Sequence, residues 1–237
     1  MPRRLHTPKL FVGDVPLEAA QARHARDVLR LNEGTEVEIF DDEGAVARGI
    51  LRFEGPRDAF VHVENVQSPP SPAGTKIIIA SAVPKGERAD WMVEKLSELG
   101  VYSFIPLAAQ RSVVLPEGKG KRDRWVRIAT ESAKQSHRPG VMRIEELTGL
   151  QEVLGAHPRA VALSTGSDSV ALPDLLRSRG HEPELTLLIG PEGGWTPAEI
   201  DTFSKANVAQ ARLTPTILRT ETAAIAAAVV ASTYLSN

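Results

Sequence analysis

Hydrophobic positions change rhythm once along the chain. Over "LEAAQARHARDVLRL" (17–31) they recur at helical spacing, and "TEVEIF", "AVARGILRF" and "AFVHVENV" then alternate in part, as half-buried strands do. "DDEG" (41–44), between the first two of these runs, reads as a hairpin turn. Together they predict a small barrel-like β domain with one helix. In "QSPPSPAG" (67–74) three prolines and two serines forbid helix and central strand alike, which marks a linker. Beyond it, apolar strand candidates at Lys76–Ala82, Val101–Leu107, Val141–Leu147, Ala160–Ser164, Leu185–Ile189 and Val208–Leu213 are mostly separated by helical stretches. One of these, "ERADWMVEKLSEL", is closed by Gly100 at the cap position. The alternation predicts an α/β domain with a mostly parallel sheet, giving a division at 1–70 and 75–237.

A chain of 237 residues suits one small and one larger domain. With 42% hydrophobic residues, 24% charged and a net charge of -2, it has the balance of an ordinary globular protein, and the overall charge predicts no polyanionic partner. Zero cysteines exclude a disulfide framework and a thiol nucleophile, and six scattered histidines without paired spacing give no expectation of a metal. The basic start "MPRRLHTPKLF" has no apolar core behind it. The longest apolar run, Ala223–Ala231, falls well short of the roughly 20 residues of a membrane span. These features lead us to expect a soluble, cytoplasmic protein without a membrane partner.

Charge is distributed unevenly. Between Arg111 and Arg143 nine Lys and Arg face three acids, a balance of +6, whereas the first 68 residues hold nine basic and twelve acidic side chains, a balance of -3. A basic strip of this kind can follow a phosphate backbone. It is equally the pattern of a solvated helix face, and charge alone leaves both readings standing.

The clearest chemical signal is "IGPEGGWTPAEI" (189–200), directly after the apolar "LTLLI". Thr196 is a natural N-cap, Pro197 suits the first helical position, Glu199 completes a capping box, and Trp195 and Ile200 occupy staple positions. Gly190 then closes a strand, while Gly193 and Gly194 lie just outside a helix N-terminus. The spacing matches neither dinucleotide nor P-loop fingerprints, and Glu192 would repel phosphate. S-adenosylmethionine suits the turn better: its sulfonium is positive and its ribose hydroxyls can donate to a carboxylate. A purely structural turn, with Glu192 facing water, is the other reading of these residues. A second strand, ending at Leu213, runs into a polar loop that feeds an alanine-rich C-terminal helix with Thr220 as cap.

"IGPEGGWTPAEI" and "LRTETAAIAA", preceded by "KGERADWMVEKLSELGV", "RSVV" and "RWVRIATESAKQSHR", resemble the ribosomal RNA small subunit methyltransferase E family, of the SPOUT class. The likeness runs from "RRLHTPKLFV" and "HARDVLRL" to the C-terminal helix, nearly the whole chain. It implies a PUA-like RNA-binding β-barrel, a C-terminal α/β domain with a trefoil knot, and a homodimer. It also implies methylation of uridine N3 in the 16S rRNA of the small ribosomal subunit, with S-adenosylmethionine as donor.

Carried over by position, Gly190, Pro191, Glu192 and Gly193 would form one wall of the cofactor pocket. Leu213, Ile217 and Leu218, with Arg219, would form the other, and Leu163 would lie beneath. Arg219 is the candidate to stabilise charge on the uracil carbonyls. Glu221 is the candidate to take the N3 proton, or simply an acid in the first turn of its helix. RNA contacts would come from Arg3, Arg4 and Arg111, from Lys119, Lys121, Arg122 and Arg124, and from Gln135 and Arg138, the last of which reads equally as a surface arginine. The chain departs from the family pattern at Thr214-Pro215-Thr216, where relatives commonly have a glycine and an arginine, and in "LSTGSDS", which lacks an acid near Ser164. Methylation of another RNA nucleotide, such as a ribose 2′-OH, and a non-catalytic RNA-binding or assembly module are the competing expectations.

Overall fold

The structure, a computed structural model, describes residues 3–55, 58–68, 74–116, 118–166, 169–180 and 182–235, apart from the side chain of Lys119. Most of the predicted linker, 69–73, lies outside the described residues. Two compact units emerge, one made of Met1–Ser71 with Ala133–Val141, the other of Pro72–Ser132 with Met142–Asn237.

In the N-terminal unit, strands β1 (Arg3–His6), β2 (Gly13–Pro16), β3 (Glu36–Phe40), β4 (Val46–Glu54) and β5 (Asp58–Val63) form one sheet in the order β1-β3-β4-β5-β2. Only the β1–β3 pairing is parallel. Alternation along β4 and β5 turns Ala47, Leu51, Ala59, Val61 and Val63 into a core shared with Leu5, Val15, Val37 and Ile39. The predicted helix over 17–31 is shorter, α1 (Ala19–Arg23), and continues as a wider π-turn over His24–Val28. The chain then breaks at Arg30, in the left-handed region at φ 51°.

The "DDEG" hairpin is present. Asp41 organises it: one carboxylate oxygen accepts from the amides of Glu43 (3.1 Å) and Ala45 (2.9 Å), the other from the buried Leu10 amide (3.1 Å). Gly44 takes φ 95°, a conformation that costs other residues more. The 133–141 segment packs with this unit, its Val141 amide donating to the Asp42 carbonyl at 3.1 Å.

Among the described residues, the second unit carries the expected parallel sheet. Its strands are β6 (Lys76–Ser81), β7 (Ser103–Ala108), β8 (Arg143–Ile144), β10 (Val161–Leu163), β11 (Val170–Ala171), β12 (Glu184–Ile189) and β13 (Ala209–Arg212), ordered β11-β13-β10-β12-β6-β7-β8; β9 (Thr148–Gly149) pairs separately with β7. Helices α2 (Glu87–Glu98), α3 (Lys119–Ser136), α4 (Leu150–Ala156), α5 (Leu172–Arg179), α6 (Pro197–Lys205) and α7 (Thr220–Leu235) connect or follow the strands. Strands β6 and β12 are buried almost throughout, as both faces of a parallel sheet are covered.

Of the strand predicted over Val141–Leu147 only β8, Arg143–Ile144, forms, with β9 following just beyond it at Thr148–Gly149, and Pro106 of β7 accounts for the break between them. The Phe104 carbonyl accepts from Glu145 on that side, and two residues on, the same side meets a proline without an N–H. Trp125 of α3 fills the core beside Phe104, edge to face at 5.7 Å, and donates to Asp90 of α2 at 2.9 Å.

Asp41→Ala removes the carboxylate that accepts from three amides and should lower the urea-unfolding free energy by about 3 kcal/mol. A loss below about 1 kcal/mol would show that water takes over those amides and that Asp41 is not the organiser of the hairpin.

Candidate active site

Ligands of open parallel sheets sit beyond the carboxyl ends of the strands, where the strand order reverses. Here β10 lies between β12 and β13, and the three strands end at Leu163, Ile189 and Arg212. The two sequence motifs therefore leave the sheet from strands flanking β10.

The turn after β12 is built as its sequence predicts. Gly194, at φ 68°, donates from its amide to the Pro191 carbonyl at 2.8 Å, and Thr196 and Glu199 form a complete capping box with Pro197 in the first turn. The staple pairing is different from the expected one. Ile200 is 41% exposed, and Trp195 instead meets Phe203 edge-on at 5.0 Å. Its indole N–H donates to the Leu163 carbonyl at 2.8 Å, fastening the end of β10 to the turn. Gly190 lies close against the same ring: a Cβ there would stand 3.0 Å from Trp195 Cε2, and the indole would have to shift by a few tenths of an ångström to admit it.

Glu199 does more than cap. Its buried carboxylate accepts from the Thr196 amide (2.7 Å) and hydroxyl (2.9 Å) on one oxygen and from the Gln110 amide (2.9 Å) on the other. Next to Gln110, Arg111 donates from Nη1 to the Gly193 carbonyl at 2.7 Å. The loop after β7 is thus tied to the turn twice. Pro191 is buried, and Glu192 and Gly193 are exposed.

On the facing segment, Leu213 and Leu218 are half-buried and Ile217 is 83% exposed. Thr214 donates to the Thr216 carbonyl at 2.8 Å, closing the Thr-Pro-Thr stretch on itself. Arg219 is exposed, and its carbonyl accepts from Ala223 at 2.8 Å, opening α7. Thr220, expected as the cap, is the first helical residue, and its buried hydroxyl reaches the Gly190 carbonyl at 3.4 Å. This contact joins the two motifs.

Glu221 is only 4% exposed. One oxygen accepts from Arg88 of α2 at 3.4 Å, and Oε2 has no hydrogen-bond partner among the described residues. Arg88 was not among the sequence candidates: it is one charge among several in "KGERADWM", and only the packing of α2 on α7 gives it a partner. Buried Ala224, Ala227, Ala228 and Ala231 let α7 approach its neighbours closely.

The basic candidates have mixed fates. Arg3 is exposed, but Arg4 is not a surface contact. It is 9% exposed, pairs with Glu38 at 2.8 Å, donates to the Ala133 carbonyl at 2.8 Å and stacks over Phe40 at 4.0 Å. Burial pushes its guanidinium pKa below the ordinary value, with Glu38 acting in opposition. Arg124 pairs with Asp90 at 2.6 Å, Arg122 donates to the Ile144 carbonyl at 2.9 Å, and Lys121 sits 5.3 Å from the Trp125 ring centre. Lys119 falls outside the described side chains. Gln135 is exposed and Arg138 half-buried, with desolvation lowering the Arg138 pKa to about 10, still charged at neutral pH. Both belong to the N-terminal unit, whereas Arg111 to Arg124 belong to the other. Among the described residues, no group of three or more His, Asp or Glu is placed to hold a metal ion, and no helix is long and apolar enough to cross a membrane.

Two family models match this arrangement: an RNA methyltransferase domain over residues 70–232 and an RNA methyltransferase PUA domain over 17–64. The class is that of RNA methyltransferases with an N-terminal PUA domain. Among relatives, the ribosomal RNA small subunit methyltransferase E of Bacillus subtilis (strain 168) is 32% identical over 213 residues, covering 86% of this chain and 83% of its own. That of Synechocystis is 30% identical over 221 residues, covering 91% and 71%. A solved structure of the Neisseria gonorrhoeae enzyme of the same name, bound to S-adenosyl methionine, superposes with a TM-score of 0.86 at 27% identity, covering 98% of this chain and 97% of that one. The chain belongs to the ribosomal RNA small subunit methyltransferase E family.

Glu199→Gln replaces one carboxylate oxygen with an NH2 group, which must face either the Thr196 amide or the Gln110 amide. One donor is then stranded, and unfolding in urea should lose about 1–3 kcal/mol. An unchanged midpoint and slope would remove Glu199 as the tie between the two loops.

Proposed function

We propose that this chain transfers the methyl group of S-adenosylmethionine to N3 of a uridine in 16S rRNA of the small ribosomal subunit. The observation that carries the reading is the pair of motifs leaving the two strands that flank β10, Gly190–Gly193 after β12 and Leu213–Arg219 after β13, joined by the Thr220–Gly190 contact, in a member of this family. The residues fit the cofactor. Pro191, Leu163, Leu213, Ile217 and Leu218 supply apolar surface for the adenine, and Glu192 supplies a carboxylate to ribose hydroxyls or a positive sulfonium.

When bound, the cofactor supplies an electrophilic methyl group. The chain's own task is to hold donor and acceptor in line and to make the uridine nitrogen available. N3 carries a proton at neutral pH, so negative charge develops on the uracil carbonyls as that proton leaves. Arg219, permanently charged and placed at the start of α7, stabilises this charge, a contribution on the order of 10²- to 10³-fold for a single donor. Glu221 takes the proton. Its 4% exposure favours a relay through water over direct contact, and Arg88 holds its other oxygen. The PUA domain and the exposed side chains of the basic strip beyond Arg111 carry the RNA, and the substrate places the enzyme in the cytoplasm.

A homodimer belongs to the same reading. Trp91 of α2 and Val229 of α7 are 47% and 43% exposed on two helices that pack together, leaving apolar surface for a second copy. Sedimentation at micromolar concentration should give twice the chain mass; a monomer would refute this part.

Incubation with 30S subunits or 16S rRNA lacking the modification should yield one methyl, which mass spectrometry maps to uridine N3. A methyl on a ribose, or none, would overturn the reading. Arg219→Ala should retain cofactor binding by calorimetry and lose about 10²-fold or more in methyl transfer. Normal turnover in that variant would remove Arg219 from the mechanism.

A further inference from the structure

We propose that Arg111 is a positioning residue of the cofactor turn, acting through the Gly193–Gly194 peptide, and not an RNA contact; this rests on the reading above that the turn binds S-adenosylmethionine. The geometry runs through one peptide plane. Its carbonyl, that of Gly193, accepts from Arg111 Nη1 at 2.7 Å, and its N–H, that of Gly194, donates to the Pro191 carbonyl at 2.8 Å. The plane lies between two glycines, where side chains impose little barrier to a flip of the peptide, and Gly194 already occupies φ 68°. Without Arg111 the Pro191 bond would be the one remaining hydrogen bond, among the described residues, that selects the orientation.

The arginine is exposed, and contacts on both sides of it place it at the turn. Its stem lies against the turn, so that a Cβ on Gly193 would stand 3.2 Å from Arg111 Cδ and 3.4 Å from its Cβ. The preceding amide, Gln110, is anchored on Glu199 at 2.9 Å. Ser112 closes the loop, its amide donating to the Ala109 carbonyl at 3.0 Å and its hydroxyl accepting from the Ala109 amide at 3.1 Å. The guanidinium reaches the carbonyl through Nη1 alone; a lysine ammonium offers one donor there too, but without the planar group that fixes its direction.

The two roles predict different behaviour. A phosphate contact at Arg111 would contribute about 0.7–0.9 to the slope of log K against log salt for RNA binding, and lysine would preserve it. A strap on the turn contributes to holding the cofactor equally in the ground and transition states, so its loss raises KM and spares kcat.

The test compares wild type, Arg111→Ala and Arg111→Lys in three measurements. Hydrogen exchange without cofactor should show the Gly194 amide exchanging about tenfold faster in Arg111→Ala, with the core strands unchanged. Calorimetry and steady-state kinetics should show S-adenosylmethionine Kd and KM rising about tenfold, corresponding to about 1.4 kcal/mol, with kcat within about twofold, and Arg111→Lys intermediate. The salt slope for a 16S rRNA fragment should stay at the wild-type value. Unchanged exchange at Gly194, or a slope reduced by about 0.7 or more in Arg111→Ala and restored in Arg111→Lys, would overturn the proposal. Failure of the underlying reading is separate: wild type would then bind no S-adenosylmethionine, while the exchange measurement would still judge the strap.

Discussion

The Glu199 carboxylate is the interaction on which the site depends. It is buried, and burying a charge is costly unless its lone pairs are used. Here the Thr196 amide, the Thr196 hydroxyl and the Gln110 amide occupy it from two parts of the chain. A single side chain thereby starts α6, shapes the exit from β12 and fixes the loop after β7. A neutral residue of the same length could meet some of those demands but not all of them.

Charge elsewhere in the molecule is handled by the same economy. Asp41 gathers three amides in the N-terminal unit, and Asp90 serves both the Trp125 indole and Arg124 in the other. Glu221 differs, its buried Oε2 having no hydrogen-bond partner among the described residues, as is also true of the Thr186 hydroxyl on β12. Buried polar groups are ordinarily paired, and unpaired ones concentrate where a protein acts on something else. The unpaired carboxylate oxygen lies at the start of α7, one residue from the hydroxyl that reaches Gly190.

Much of this was readable in the chain because it is local. The capping box follows from Thr196, Pro197 and Glu199 at fixed spacing, and the hairpin from "DDEG"; neither needs knowledge of distant residues. The parallel sheet was legible from apolar runs alternating with helical ones. The misses are tertiary. Trp195 abandons Ile200 for Phe203 and the Leu163 carbonyl because the end of β10 stands beside it, and Arg4 joins a cluster with Glu38 and Phe40 that becomes visible only once β1 lies along β3. The charge count over 111–143 was correct as a count. It could not show that Arg124, Arg122 and Arg111 spend hydrogen bonds on Asp90, Ile144 and Gly193.

The break at Pro106 bears on the behaviour of the chain among other proteins. Exposed sheet edges are templates on which a foreign strand can add, and long flat ones seed aggregation. The parallel sheet of the second unit ends on one side in Arg143–Ile144 and on the other in Val170–Ala171, two residues each. An incoming strand finds too few consecutive donors and acceptors on either border to dock in register. The proline that interrupts the pairing beside β7 therefore also shortens the border on that side on which a neighbour's strand could add.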